Sequence, residues 1–310
     1  MSFIKLKSAF AAGQISKPEF IAQALEHHRT LFDYLAVVQS TDVKEIRIAA
    51  EGVSFVMGEF DIVLYTPPEE ARVAPLEVMN FDVYERNETA VMDILCDGAG
   101  AIFDIGANIG WFSVRFAKRT PQAAIYAFEP LPHTFSFLQR NVAVNNVGDR
   151  VTTFNYGMSD QSGAVDFFIS PTAGTNASLK NVAAAENAKK VTGLTLTLDQ
   201  WVANQGVAPD FIKCDVEGAE LLVFRGGSYT IAQYRPVVFA ELLRKWSKPF
   251  GYHPNDVLAF FKGNGYRCFA IGAHAVSPIS EVTEETVETN YAFLHHEKHA
   301  ALIARLEKRL

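Results

Sequence analysis

The chain changes its hydrophobic pattern twice. From Lys17 to about Val38 apolar residues return every three or four positions (Phe20, Ile21, Ala24, Leu25, Leu31, Leu35), so one or two amphipathic helices are expected there. Gly52–Tyr65 instead carries β-branched and aromatic residues on both sides of Gly58-Glu59, which predicts a β-hairpin ended by Pro67 and Pro68. From about Phe81 onward short apolar runs alternate with helical stretches, the signature of a parallel sheet covered by helices on both faces. A lead-in helix is expected at Glu88–Leu95, with strands at Ala101–Ile105, Ile125–Phe128, Val151–Asn155, Phe211–Cys214 and Val237–Ala240. The helices between them are expected at Trp111–Ala117, Thr134–Val144, Glu217–Phe224 and Asn255–Gly263. Tyr266–Ile271 and Asn290–Leu294 read as two more strands without a helix between them, which suits an antiparallel hairpin at one edge.

The pattern therefore predicts an α/β, Rossmann-like sheet of seven mostly parallel strands over residues 81–310, preceded by a helical and hairpin extension over residues 1–80. The polar stretch Ser170–Lys190 is the candidate for a mobile loop over the site. With 49% hydrophobic residues the 310-residue chain has ample material for a buried core. Its 28 basic and 35 acidic residues leave a net charge of −7, and no Lys/Arg-rich block stands out, which argues against nucleic acid as a partner. No apolar stretch is long enough to span a bilayer, and the run from Ser8 to Gly13 is too short for a signal peptide. Cys96, Cys214 and Cys268 have neither zinc spacing nor an even count, so reduced core cysteines in a cytoplasmic protein are expected. The N-terminal helices are the candidates for self-association.

The chemistry starts at FDIGANIGWFS, residues 103–113, where a strand, a glycine turn and a helix follow one another. A dinucleotide turn would read G-x-G-x-x-G, but Asn108 and Trp111 occupy the second and third glycine positions, and no P-loop is present. The turn suits a nucleoside without phosphates. S-adenosylmethionine is such a ligand, and its positive charge calls for carboxylates at the strand ends. Asp104 ends the first strand and is placed for the ligand's ammonium; Glu129, about twenty residues past the turn in AIYAFEP, is placed for the ribose hydroxyls. Asp160, in GMSDQSG, is placed for the adenine amino group. Each alone reads better as a turn or surface residue. Three carboxylates at three successive strand ends form a constellation.

The fourth strand runs into DFIKCDVEGAE, residues 210–220. Asp215 there reads evenly as a helix N-cap or as a functional group, whereas Lys213, Glu217 and Glu220 read as structural. Lys213 sits among apolar neighbours and needs a carboxylate partner.

GANIGWFS, AFEP, GMSDQSG and IKCDVEGAE, with VYERNET at Val83–Thr89 and GYRCF at Gly265–Phe269, resemble the FkbM family of methyltransferases over roughly residues 81 to 271. The resemblance implies a class I methyltransferase fold, S-adenosylmethionine as cofactor and O-methylation of a hydroxyl on a sugar or polyketide-type product. Expected cofactor contacts are Asp104, Gly106, Ala107, Asn108, Gly110 and Trp111, then Glu129 and Pro130, Ser159 and Asp160, and Asp215. Candidate bases for the acceptor's proton are Asp215, Glu241 in VVFAELL, and His253 in GYHPNDV, whose default role is helix capping before Pro254. A divalent cation on Asp215 and Glu241 is an option that no dense carboxylate cluster supports. The rival readings are an NAD-type oxidoreductase and a non-catalytic scaffold on the same sheet.

Overall fold

In the computed structural model, which describes residues 1–169, 177–181, 188–273 and 275–307, the apolar runs become the inner strands of a large sheet. Its order is Val276–Pro278, Tyr266–Ile271, Asn290–His295, Val237–Glu241, Phe211–Cys214, Ala101–Ile105, Ala124–Phe128, Val151–Phe154. The last five run parallel. Asn290–His295 inserts antiparallel between Val237–Glu241 and Tyr266–Ile271, which gives the α/β arrangement of class I methyltransferases. The sheet has eight strands where seven are expected, because Val276–Pro278 extends its antiparallel edge.

Successive residues of the inner strands enter two different hydrophobic clusters, one on each face. Ile102, Ile125 and Phe211 pack with Met92, Val114, Phe116 and Leu138; Phe103, Phe128 and Ile212 pack with Leu198, Trp201, Leu221 and Phe261. Phe103 is fully buried with its ring 4.9 Å from that of Trp201, so its truncation to alanine would cost about 3–5 kcal/mol.

The N-terminal segment forms helices Phe3–Ala11 and Lys17–Ser40, the latter started by a Ser16/Glu19 capping box. The Gly52–Met57 and Ile62–Tyr65 hairpin is present, and Val43–Ala49 adds a third antiparallel strand that periodicity does not reveal. Phe55, Met57, Ile62 and Leu64 from this sheet belong to the same cluster as Trp111 and Leu138. Two side-chain amides complete the sheet's free edge. Asn141 accepts from Tyr65 N–H (2.8 Å) and donates to Tyr65 C=O (3.0 Å), and Asn145 does the same at Val63 (3.0 and 2.7 Å). Each substitutes for a neighbouring strand's peptide, which meets the backbone's demand for partners at a buried edge.

A second small sheet, Gly157–Met158, Lys189–Leu196, Gly163–Ile169 and Ala177–Ser178, is also absent from the sequence expectation. Most of the Ser170–Lys190 loop lies outside the described residues. The helices Ala74–Phe81, Leu198–Gln205, Ser228–Tyr234 and Ala300–Glu307 likewise go beyond it. The helix expected at Glu217 starts instead at Glu220, because Glu217 (φ 55°) and Gly218 (φ 97°) hold left-handed backbone that a right-handed helix cannot include. Among the described residues no helix is long and apolar enough to cross a membrane, and the three cysteines are free.

Candidate functional site

A cleft opens at the carboxyl ends of the parallel strands, where open α/β sheets bind ligands. Gly106, Ala107, Asn108 and Trp111 line it from the first turn, Glu129 and Pro130 from the second strand end, and Lys213, Asp215 and Glu217 from the fourth. The turn is fixed from below. Gly106 and Ala107 N–H both donate to Phe128 C=O at 3.0 Å, and Gly106 has φ 81°. Its missing side chain matters twice, since a Cβ would also run into the Asp215 carbonyl oxygen of the adjacent strand.

Glu129 is 6% exposed, and both its oxygens already accept backbone donors, Oε2 from Asn108 N–H (3.1 Å) and Oε1 from Leu131 N–H (2.9 Å). Burial pushes its carboxyl up to about 7 despite those two bonds. The left-handed Asn108 (φ 51°) aims its amide at the glutamate and uses its own Oδ1 to accept from Ile109 N–H (2.7 Å). Pro130, Met158, Phe167 and Leu179 give the cleft an apolar shelf beyond Glu129.

The opposite wall is acidic around one lysine. The Lys213 ammonium lies 3.4 Å from Asp215 Oδ2 and 3.7 Å from Asp104 Oδ1, donates to Gly106 C=O (3.3 Å), and stands 5.3 Å from the Phe112 ring centroid. Burial alone would lower its pKa, but Asp215, Asp104 and Glu85 together hold it above the usual lysine range. Burial, then repulsion from Asp215, raises Glu85 to about 7 and Glu241 to about 9, and Glu217 well above the carboxylate range. Burial and the repulsion from Asp215 favour the protonated form of Glu241, which counts against it as the base. Asp215 Oδ1 and Glu217 Oε2 are buried atoms without hydrogen-bond partners. The N-cap reading of Asp215 is removed, because the helix begins five residues later with Ala219 as its cap.

Six expected site residues stand outside the cleft lining. Asp104 is wholly buried beneath the turn, accepting from the Ser113 hydroxyl (2.6 Å) and facing Lys213, so it reaches a ligand only through that lysine. Gly110 is the left-handed N-cap (φ 92°) that lets the Trp111–Arg119 helix start against Leu138. The Ser159 hydroxyl donates to the exposed Asp160 (3.3 Å), and the Ser159 carbonyl packs on Gly226. His253 caps the Pro254–Gly263 helix, its Nδ1 accepting from Asn255 N–H (3.2 Å). Glu241 does not line the cleft, though it feels the charge of Asp215. Among the described residues no group of three or more His, Cys, Asp or Glu is arranged to hold a metal ion.

Sequence reasoning missed Arg72, Val73, Ala74 and Tyr84, which reach the cleft from the N-terminal side, and Glu217, whose neighbour Gly218 was the one local sign of an unusual backbone.

A class I methyltransferase sheet with an acidic cleft at its switch point defines the class. The Methyltransferase FkbM domain model matches residues 104–268, more than half of the chain, and the protein belongs to that family. It is 32% identical to methyltransferase sdnD of Sordaria araneosa, over 53% of this chain and 73% of that one. It is 31% identical to hexuronic acid methyltransferase AglP of Haloferax volcanii over 46% of this chain and 56% of the relative. Identity to 2-O-methyltransferase NoeI of Sinorhizobium fredii is 30% over 43% and 60%. The chain thus spans less than two thirds of the length of the last two relatives. A crystal structure of methyltransferase FkbM from Methylobacillus flagellatus overlaps 86% of this chain and 59% of its own, with 15% identity and a TM-score of 0.41.

Proposed function

We propose that this chain is an S-adenosylmethionine-dependent O-methyltransferase acting on a hydroxyl of a sugar, glycan or natural-product acceptor. The observation that carries this reading is the buried Glu129 bonded to the Asn108 amide at the end of the second strand, a carboxylate where a ribose would lie and no cradle where a phosphate would. Family membership supports the cofactor, and the relatives named for hexuronic acid and 2-O-methylation support the acceptor class.

The donor set suits a cationic nucleoside. Glu129 takes the ribose hydroxyls, the Gly106–Asn108 backbone with Trp111 and Pro130 encloses the ligand, and Asp215 and Glu217 line the cleft at its positive end. When bound, the cofactor supplies a methyl group that is already activated. The chain's part is to align the acceptor oxygen and receive its proton. Asp215 does the second. Lys213 holds its Oδ2 and fixes the carboxylate's orientation; Asp104 acts by positioning that lysine. Residues 1–80 act as an extension that closes the acceptor side through Arg72 and its neighbours. An NAD-type activity finds no pyrophosphate site in a turn that presents Asn108 and Trp111.

Calorimetric titration tests this reading. S-adenosylmethionine and S-adenosylhomocysteine are expected to bind at one site and NAD to show no comparable affinity; a preference for NAD overturns it.

A further inference from the structure

We propose that the Lys17–Ser40 helix is the surface through which two copies of this chain pair. Ile21, Leu25, Phe32 and Leu35, with His28 and Gln39, recur at alternating spacings of four and three residues, which keeps them on one stripe of the helix. The four apolar side chains are 56%, 48%, 73% and 58% exposed. The helix does not need this stripe to hold its place in the monomer. Its adjoining face does that: Ala24 is buried, the Phe20 and Phe10 rings stack at 4.6 Å, Phe3 meets His27 and His28 at 5.8 and 4.9 Å, and Val38 packs on the main core cluster. The side away from the stripe carries Glu19, Gln23, Glu26, Thr30 and Asp33, all exposed. A helix divided in this way buries its apolar stripe against something.

The occupant is a second copy. A helix that lies on a membrane sets Lys and Arg on its polar side, whereas this polar side holds three acidic residues and no basic one, in a chain of net charge −7. The four apolar side chains leave roughly 450 Å² in water on one copy, and two such stripes, with His28, Leu31, Ala36 and Gln39 at their margins, bury roughly 1,200 Å² between them, the lower edge of what a specific interface needs. The pairing is antiparallel. The helix leads at its C-terminal end into the Val43–Ala49 strand, so parallel helices packed about 8–10 Å apart would drive the two bodies into one another. Reversed, the bodies lie at opposite ends and the helix dipoles oppose. The stripe from Ile21 to Leu35 is centred on His28, so a two-fold axis there sets Ile21 against the partner's Leu35 and Leu25 against the partner's Phe32, the self-complementarity that such a dimer requires.

The test is sedimentation equilibrium on the full chain across the micromolar range, where the mass is expected to climb with concentration toward twice the 34.2 kDa of one chain. Phe32→Glu combined with Leu35→Glu should raise the dissociation constant by about a hundredfold or more and keep the parental far-UV circular dichroism. Gln23→Glu combined with Thr30→Glu places the same added charge on the polar side and should leave pairing unchanged. Under mild oxidation His28→Cys should form a disulfide with its own copy, and Gln39→Cys, which antiparallel pairing carries to opposite ends, should not. A parent that stays at 34.2 kDa throughout overturns the inference, as does pairing that survives the Phe32 and Leu35 changes or is lost with the polar-side ones. Self-crosslinking at Gln39→Cys, or parental binding to phosphatidylserine-containing vesicles that the Phe32 and Leu35 changes abolish, overturns it as well. None of these readouts depends on the cofactor reading.

Discussion

The two walls of the cleft are finished to different degrees. On the Glu129 side both carboxylate oxygens are held by backbone amides, and the glycine turn that supplies one of them is pinned to the neighbouring strand. On the Asp215 side, carboxylates crowd a single lysine, three of their oxygens (Asp104 Oδ1, Asp215 Oδ1 and Glu217 Oε2) have no hydrogen-bond partner, and burial lifts Glu85, Glu217 and Glu241 out of the usual carboxylate range. The first wall is preorganised and needs little rearrangement to receive a ligand. The second is complete only when something cationic, or something with hydroxyls to share, sits against it.

The largest test of that contrast is Lys213→Met. Removing the one cation leaves Asp104 and Asp215 buried against each other, and the expected loss is roughly 3–5 kcal/mol of unfolding free energy in urea. Adding Asp104→Asn should restore part of it. If the single variant is as stable as the parent, the acidic wall is not held by this ion pair.

Next is Asp215→Asn, expected to slow methyl transfer by roughly 10²–10⁴-fold and to weaken cofactor binding far less, because a base acts mainly in the transition state. A panel of free and nucleotide-linked sugars supplies the acceptor, with a chelator arm to expose any metal requirement. A parental rate in the Asn variant would move proton removal to another group.

Glu129→Ala probes the finished wall and should behave in the opposite way. Cofactor binding is expected to weaken by about 1–3 kcal/mol in a calorimetric titration, with the fold intact. An unchanged affinity would make Glu129 a clamp for the Asn108 and Leu131 amides and nothing more.

The smallest effect expected is a pH dependence. Glu85, Glu129 and Glu220, each near 7, and Glu241, near 9, keep protons in the folded chain that an unfolded chain releases near 4.3. Their folded values are raised, so their contribution to stability is present below about pH 4 and is lost as pH climbs through 7 to 9. The ligand-free protein should melt a few degrees lower at pH 8.5 than at pH 6. S-adenosylmethionine should oppose this fall more than its uncharged-sulfur product does, since a cation favours the ionised carboxylates. Equal protection by the two ligands would separate the acidic wall from the sulfonium.

Much of the first wall was legible in the sequence. Strand, glycine turn and a carboxylate about twenty residues on are bound to one another by a single βαβ unit, so the spacing of Gly106, Asn108 and Glu129 nearly dictates their meeting. The same local logic failed at Ser159 and Asp160, where the chain leaves the large sheet to build a small one whose strands are largely exposed, as at Lys189–Leu196, and so carry no clear apolar alternation. It also misplaced the start of the helix after Asp215, since left-handed backbone at Glu217 is imposed by packing of Gly218 against Trp246 and by Glu220, which accepts from Val216 and Gly218 N–H.

By itself, then, the sequence determined the sheet, its turn and the carboxylate beside it, because short-range periodicity and backbone permissiveness act between residues close in the chain. Only the tertiary structure decided the rest: that Asn141 and Asn145 dock the N-terminal sheet, that Tyr84 and Trp111 line both the cleft and the cavity beside it, and that Asp215 is a lysine-paired carboxylate rather than a cap. Those outcomes depend on which distant side chains share a low-dielectric space and which of their polar atoms find partners in it, and no spacing along a single chain encodes that.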